Sequence, residues 1–154
     1  MIELDKFIKI FEGLTSAYGQ TVKTDQFSEK GKHKTKSFTI SNPVTKKLWR
    51  EHLEGKDPAL GIVPITKENK CKWGCIDIDT YPFDHKKFIQ KLKQKNIPMI
   101  VCRSKSGGAH AFLFTKDFVP ATVMRVKLKL IASVMGFSGA EIFPKQDYIR
   151  VDRG

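Results

Sequence analysis

At 154 residues and 17.5 kDa, the chain suffices for one compact domain with a real core and is short for two ordinary ones. Its 40% hydrophobic and 29% charged residues fit a globular protein, and no apolar run approaches the roughly 18–20 residues of a membrane span. With 28 Lys and Arg against 16 Asp and Glu the formal net charge is +12, which favours a polyanionic partner, nucleic acid before an anionic membrane, because the basic amphipathic helix with Trp or Phe on its apolar face that a membrane surface wants is not well matched here.

Leu4, Phe7, Ile8, Phe11 and Leu14 recur at helical spacing, so an amphipathic helix is expected over about residues 3–14, closing near Gly13. Glu3 and Asp5 lie where a secretory signal would be basic, so a cytoplasmic, intracellular protein without a membrane partner is expected. From Thr15 to Ser41 the chain is polar and lysine-rich, with a β-favouring piece at Lys36–Ile40 and Gly31 as a breaker. Pro43 suits the first turn of a helix carrying Leu48, Trp49 and Leu53 and stopped by Gly55, and Leu60–Ile65 reads as a short strand.

Gly74–Asp79 reads as a strand broken by Tyr81-Pro82, followed by a helix that Asp84 can cap and whose buried stripe is Phe88, Ile89 and Leu92. Lys86, Lys87, Lys91, Lys93 and Lys95 fall outside that stripe, as a solvated face. Pro98–Arg103 and Ala109–Phe114 read as the strands of a hairpin joined through Lys105-Ser106-Gly107-Gly108. Pro120 opens a helix that runs to Met135 and stops at Gly136; Val126–Leu130 alternates like a strand, but the length and the Pro and Gly boundaries favour helix. Ala140–Phe143 is a last strand, with Tyr148–Val151 as a further candidate.

This order, β-α-β-β-α-β from Trp73 onward, predicts an α/β (α+β) fold of the ferredoxin-like or RNA-recognition-motif-like kind, preceded by an N-terminal α/β extension. The expected organisation is a single domain over residues 1–154, with the extension at 1–70 and the motif-like module at 71–154. In that topology the first and third strands are central neighbours and the fourth pairs with the outer side of the first. Side chains alternate along a strand, so Asp77 and Asp79 share one face while Ile76 and Ile78 face the helices. His110, Phe112 and Phe114 share a face of the third strand, and Glu141 and Phe143 one of the fourth.

Two aspartates one residue apart repel each other, and keeping both ionised calls for a cation. With Glu141 the set is all oxygen, which suits Mg²⁺ or Mn²⁺ and the two-metal chemistry that makes or breaks phosphodiesters. Ser104-Lys105-Ser106-Gly107-Gly108-Ala109-His110 lacks Walker A spacing, yet its glycines admit close backbone approach to phosphate, and Ser106, Lys105 and His110 add donors.

Taken together, Cys75-Ile76-Asp77-Ile78-Asp79, Ser106-Gly107-Gly108-Ala109-His110 and Ala140-Glu141-Ile142-Phe143 resemble the three motifs of the archaeo-eukaryotic primase superfamily. His52–Gly55, Gly61–Ile65 and Phe143–Gln146 look like its primase-polymerase branch from viruses and mobile elements, so the resemblance spans about Trp49 to Gln146. It implies a template-directed DNA primase or polymerase acting on a single-stranded DNA template with nucleoside triphosphates (dNTP, NTP or both), with a replicative helicase as a possible partner. Asp77, Asp79 and Glu141 would carry the metals; Ser106 and His110 would hold the phosphates, helped by Lys105, Arg103 and Lys145. The loop has more glycine between serine and histidine than the shortest form of the motif, so Ser104 is an alternative to Ser106, and Asp147 lies close enough to compete with Glu141. Catalytic domains of the superfamily usually continue past the third motif, so a fragment of a longer protein is expected.

Two other classes use the same residues. A non-catalytic single-strand-binding module would stack bases on Phe112, Phe114 and Phe143, although three acids would repel its ligand. A metal-dependent nuclease would turn the carboxylates on water. Cys71, Cys75, His85 and Cys102 lack the spacing of common zinc knuckles, and an odd cysteine count fits free thiols.

Overall fold

Residues 3–29 and 33–149 of a computed structural model are described here, and they divide into two units at Val63/Pro64. The first holds α1 (Leu4–Ile10), β1 (Tyr18–Phe27), β2 (His33–Ile40), α2 (Lys46–Leu53) and β3 (Ala59–Gly61), with its strands in the antiparallel order β2-β1-β3. The first helix ends earlier than its apolar spacing predicts because a tertiary contact claims the chain. A Cβ at Gly13 would lie 2.1 Å from the Val63 carbonyl oxygen, and the next residue, Leu14, donates its N–H to that oxygen at 2.8 Å. Phe7 packs on Phe11 at 4.9 Å and edge-on to Trp49 at 5.9 Å, joining α1 to α2.

The second helix starts at Thr45, whose hydroxyl accepts from Leu48 N–H at 3.3 Å, rather than at Pro43. Gly55 takes φ +73° beyond its end, as expected of a stop. The long strand β1 had no signal in the sequence. Its residues are mostly polar, and it owes its form to pairing with β2 and β3, with Thr21 and Ser37 sharing a hydroxyl bond of 2.9 Å. The predicted strand over 60–65 is confined to Ala59–Gly61, and Gly31 lies outside the described residues.

In the second unit a turn through Thr66–Asn69 leads into β4 (Lys70–Ile78), followed by α3 (His85–Gln94), β5 (Ile100–Arg103), β6 (Ala109–Pro120), α4 (Ala121–Met135) and β7 (Glu141–Phe143). Every pairing is antiparallel and the order is β5-β6-β4-β7, the ferredoxin-like arrangement predicted. Across both units the fold is α+β, with two antiparallel sheets and four helices among the described residues.

The core lies between this sheet and its helices. Ile76, Ile78, Leu92, Met124 and Leu128 are fully buried, each worth roughly 1.5–3 kcal/mol. A Cβ at Gly74 would stand 2.6 Å from Leu128 Cδ1 and 2.9 Å from Met124 Cγ, so α4 rests directly on the backbone of β4. The alternation at Val126–Leu130 does not make a strand: α4 buries Met124, Leu128, Ile131, Ala132 and Met135 at helical spacing and stops at Gly136, φ +87°. Asp84 caps α3 through Lys87 N–H at 2.9 Å, as predicted. Lys91 departs from the solvated face, since its Nζ donates to the Met135 carbonyl oxygen at the end of α4, 3.3 Å away.

Strand β6 outruns the predicted Phe114 because its ladder with β4 shifts register between Cys71 and Trp73 and continues to Pro120. Tyr148 and Ile149 are not in a strand; Ile149 N–H donates to Asn69 Oδ1 at 2.8 Å, and residues 150–151 lie outside the described ones. Among the described residues no helix is long and apolar enough to cross a membrane.

Candidate active site

Strand β4 brings Asp77 directly opposite His110 on β6 and Glu141 on β7. Residues opposite each other in antiparallel strands point to the same face, so the three side chains form a row on the side away from α3 and α4. Next along the sheet, Cys75 is flanked by Phe112 and Phe143. Asp79 falls just past the end of β4, outside the ladder, and its Oδ1 accepts from the Tyr81 hydroxyl at 2.9 Å. Glu141 Oε1 meets Lys145 Nζ at 2.6 Å, and the same ammonium sits 5.0 Å over the Phe143 ring. Asp77, Asp79 and Glu141 line one cleft of about 450 Å³ between the end of β4 and the Gly136–Ala140 loop.

The electrostatics of Asp77 stand apart. His110 Nε2 comes within 3.4 Å of its Oδ1 but makes no hydrogen bond to it, and that oxygen is buried without one. Burial pushes the Asp77 carboxyl above the usual range; the charges of Asp79 and Glu141 push it further, while His110 and Lys145 pull it back. Asp147 is drawn elsewhere: Arg125 of α4 reaches its Oδ1 at 2.6 Å and the Pro144 carbonyl oxygen at 3.1 Å. Of the two acids the sequence offered beside Asp77, Glu141 faces it and Asp147 faces Arg125.

The loop between β5 and β6 closes on itself, with Ser104 N–H donating to the Gly108 carbonyl oxygen and Gly107 N–H to that of Ser104, both at 3.0 Å. Gly107 takes φ +96°, a conformation that favours glycine. Gly108 lies against β4, where a Cβ would stand 2.1 Å from the Ile78 carbonyl oxygen. The loop therefore abuts the strand end that carries the aspartates. Ser106 and Lys105 are exposed, whereas Ser104 Oγ is enclosed without a partner. Arg103 lines a separate cleft of about 570 Å³ with Phe83, Asp84, His85 and Lys86.

A divalent cation suits this donor set. The oxygens are hard, one is an orphaned buried acceptor, and the charges of Asp79 and Glu141 act with burial in raising Asp77. Among the described residues no three ligating groups converge into a ready cage. Tyr81 engages Asp79 through Oδ1 and Lys145 engages Glu141 through Oε1, so each carboxylate keeps a second oxygen to offer an ion.

A family model described as "TOTE conflict system, Archaeo-Eukaryotic Primase domain" matches residues 6–153. The chain belongs to this family of archaeo-eukaryotic primase domains. No curated protein matches it. The primase domain thus falls in a nucleotidyltransferase family whose members work with nucleotides and a nucleic-acid template and generally depend on divalent metal.

Three residues around the site of this primase domain had no sequence signal for their contacts: Tyr81 on Asp79, Arg125 on Asp147, and His85, whose Nε2 is 2.9 Å from the Gly108 carbonyl oxygen. Tyr81 was legible only as half of a strand-breaking Tyr-Pro, and His85 only as a stray metal-ligand type. The partners of Arg125 and His85 lie more than 20 residues away, at separations of 22 and 23.

Proposed function

We propose that the chain is a template-directed DNA primase or polymerase that joins nucleotides on a single-stranded DNA template with two divalent metals, Mg²⁺ or Mn²⁺. The observation that carries this reading is the row Glu141–Asp77–His110, with Asp77 Oδ1 buried and unsatisfied at its centre. Asp77, Asp79 and Glu141 would hold the ions, whose chemistry there is to offset charge building on the α-phosphate and to acidify the attacking 3′-hydroxyl.

The remaining work falls to this chain's own groups. Ser106 and Lys105, exposed on the glycine loop, bind the phosphates of the incoming dNTP or NTP, and the loop's N–H groups can approach them closely. Ser106 is preferred to Ser104 because the Ser104 hydroxyl is enclosed. His110 hydrogen-bonds the triphosphate from its place beside Asp77. Lys145 supplies positive charge beside Glu141, and Arg103, whose Nη2 lies 3.9 Å from where a Cβ of Gly107 would stand, supplies it behind the loop. No side chain acts as a covalent nucleophile, and rate is gained by positioning and charge stabilisation.

The test is incorporation of labelled nucleotides on single-stranded DNA, with and without primer and with Mg²⁺ or Mn²⁺, comparing wild type with Asp77→Ala/Asp79→Ala. Templated product lost in the double variant supports a polymerase, and product without primer a primase. Strand degradation without triphosphate would replace this reading with a nuclease, and binding of single strands with no triphosphate or metal binding would leave a binding module.

A further inference from the structure

Asp79 and the glycine loop are supplied by different stretches of chain, and His85 ties them together. It is the first residue of α3, six positions after Asp79 and next to the capping Asp84. Its Nε2 lies 2.9 Å from the Gly108 carbonyl oxygen, and since a carbonyl only accepts, Nε2 carries the proton in either charge state of the ring. The ring is held in place: it meets Phe83 edge-on at 4.8 Å, and Phe83 packs on Phe88 at 5.3 Å and on Phe137 at 5.8 Å.

Gly108 is gripped from two sides. Its α-carbon presses on the Ile78 carbonyl at the end of β4, where no Cβ fits. Its carbonyl oxygen accepts from His85 and also from Ser104 N–H at 3.0 Å, the bond that closes the loop. Both lone pairs of that oxygen are thereby used. Ser106 lies within the closed loop, and His110 follows two residues after Gly108.

We infer that His85 is a positioning residue for the triphosphate subsite: it holds the Ser104–Gly108 loop against the end of β4 and so sets how Ser106 stands relative to Asp77 and Asp79, His110 being fixed already by the ladder between β4 and β6. This role presupposes the nucleotidyl transfer proposed above. His85 reaches the loop through the Gly108 carbonyl oxygen, so its effect is on how much of the population has the loop ready to bind.

The experiment compares wild type with H85F, which keeps a ring against Phe83 and loses the Nε2 donor, and H85Q, whose amide N–H can occupy much the same place. Native-state hydrogen exchange is measured first. In H85F the Gly107 amide, bonded inside the loop, is expected to exchange faster while the amides of β4 and β6 keep their protection. Nucleotide KM is expected to rise roughly 3- to 10-fold, the range of one lost neutral hydrogen bond, while kcat and single-strand affinity stay within about twofold. H85Q is expected to recover both exchange and KM.

The inference is overturned if H85F leaves the Gly107 amide and KM unchanged. It is also overturned if protection falls across β4 and β6 alike, which marks a purely structural histidine, or if H85Q is as impaired as H85F. The exchange measurement needs no turnover: a wild type that incorporates no nucleotide defeats the proposed function, while the hold of His85 on the loop stands or falls on exchange.

Discussion

Replacing Asp77 by Asn keeps the size of the side chain and removes its charge from a half-buried position between His110 and Glu141. Carboxylates facing each other across an antiparallel ladder stand roughly 5–6 Å apart and repel by roughly 1–3 kcal/mol at effective dielectrics of 80 to 20. Lys145, 2.6 Å from Glu141, and His110, 3.4 Å from Asp77, offset part of this. The net gain expected for Asp77→Asn in the metal-free domain is about 1 kcal/mol, a rise in Tm of about 2–4 °C for a chain this size.

The sign follows from linkage. A carboxyl whose folded pKa is raised contributes its stability below the ordinary carboxylate range and loses it as pH climbs through the raised value. The advantage of Asp77→Asn should therefore be full near neutral pH and shrink as pH falls toward about 4. Millimolar Mg²⁺ or Mn²⁺ should reverse the ranking: about 1.4 kcal/mol is added to wild type at ten times Kd, and little to the variant. Differential scanning calorimetry over pH, with and without metal, checks both arms. A variant less stable than wild type without metal, or a wild type whose Tm ignores the ions, would refute the reasoning.

Asp79→Ala and Glu141→Ala are each expected to lower nucleotide incorporation by roughly 100-fold or more, whereas Asp147→Ala stays within a few-fold of wild type; primer-extension rates decide. Gly108→Ala puts a Cβ 2.1 Å from the Ile78 carbonyl oxygen, so urea unfolding should show a loss of about 2–4 kcal/mol. Arg125→Met removes the bonds to Asp147 and Pro144, and the same assay should show a loss of about 1–2 kcal/mol. Burial pushes the Cys71 thiol up to about 11 and raises Cys75 as well, while Cys102 is exposed. Alkylation of the native protein at mildly alkaline pH, followed by mass spectrometry, should modify Cys102 first and reach the other two on unfolding.

The β-α-β-β-α-β order was legible because each element carries its own period: the Ile76 and Ile78 alternation, the Phe88 and Leu92 stripe, and the boundaries at Asp84, Pro120 and Gly136. The same alternation put Asp77, His110 and Glu141 on one face before any register was known, since facing depends only on position along a strand. Strand β1 escaped because it is mostly polar, and its β form comes from pairing with its neighbours rather than from an apolar period.

By itself, then, the sequence determined the order of elements in the second unit, the face on which the acids lie, and the three motifs of a primase domain, all properties of neighbouring residues. Tertiary structure alone decided that Glu141 rather than Asp147 stands opposite Asp77, that Asp79 steps out of the ladder to Tyr81, that Ser104 is enclosed while Ser106 is exposed, and that His85 grips Gly108. Each of these depends on register or on the packing and direction of particular side chains, and local periodicity carries no information about which distant atoms will meet.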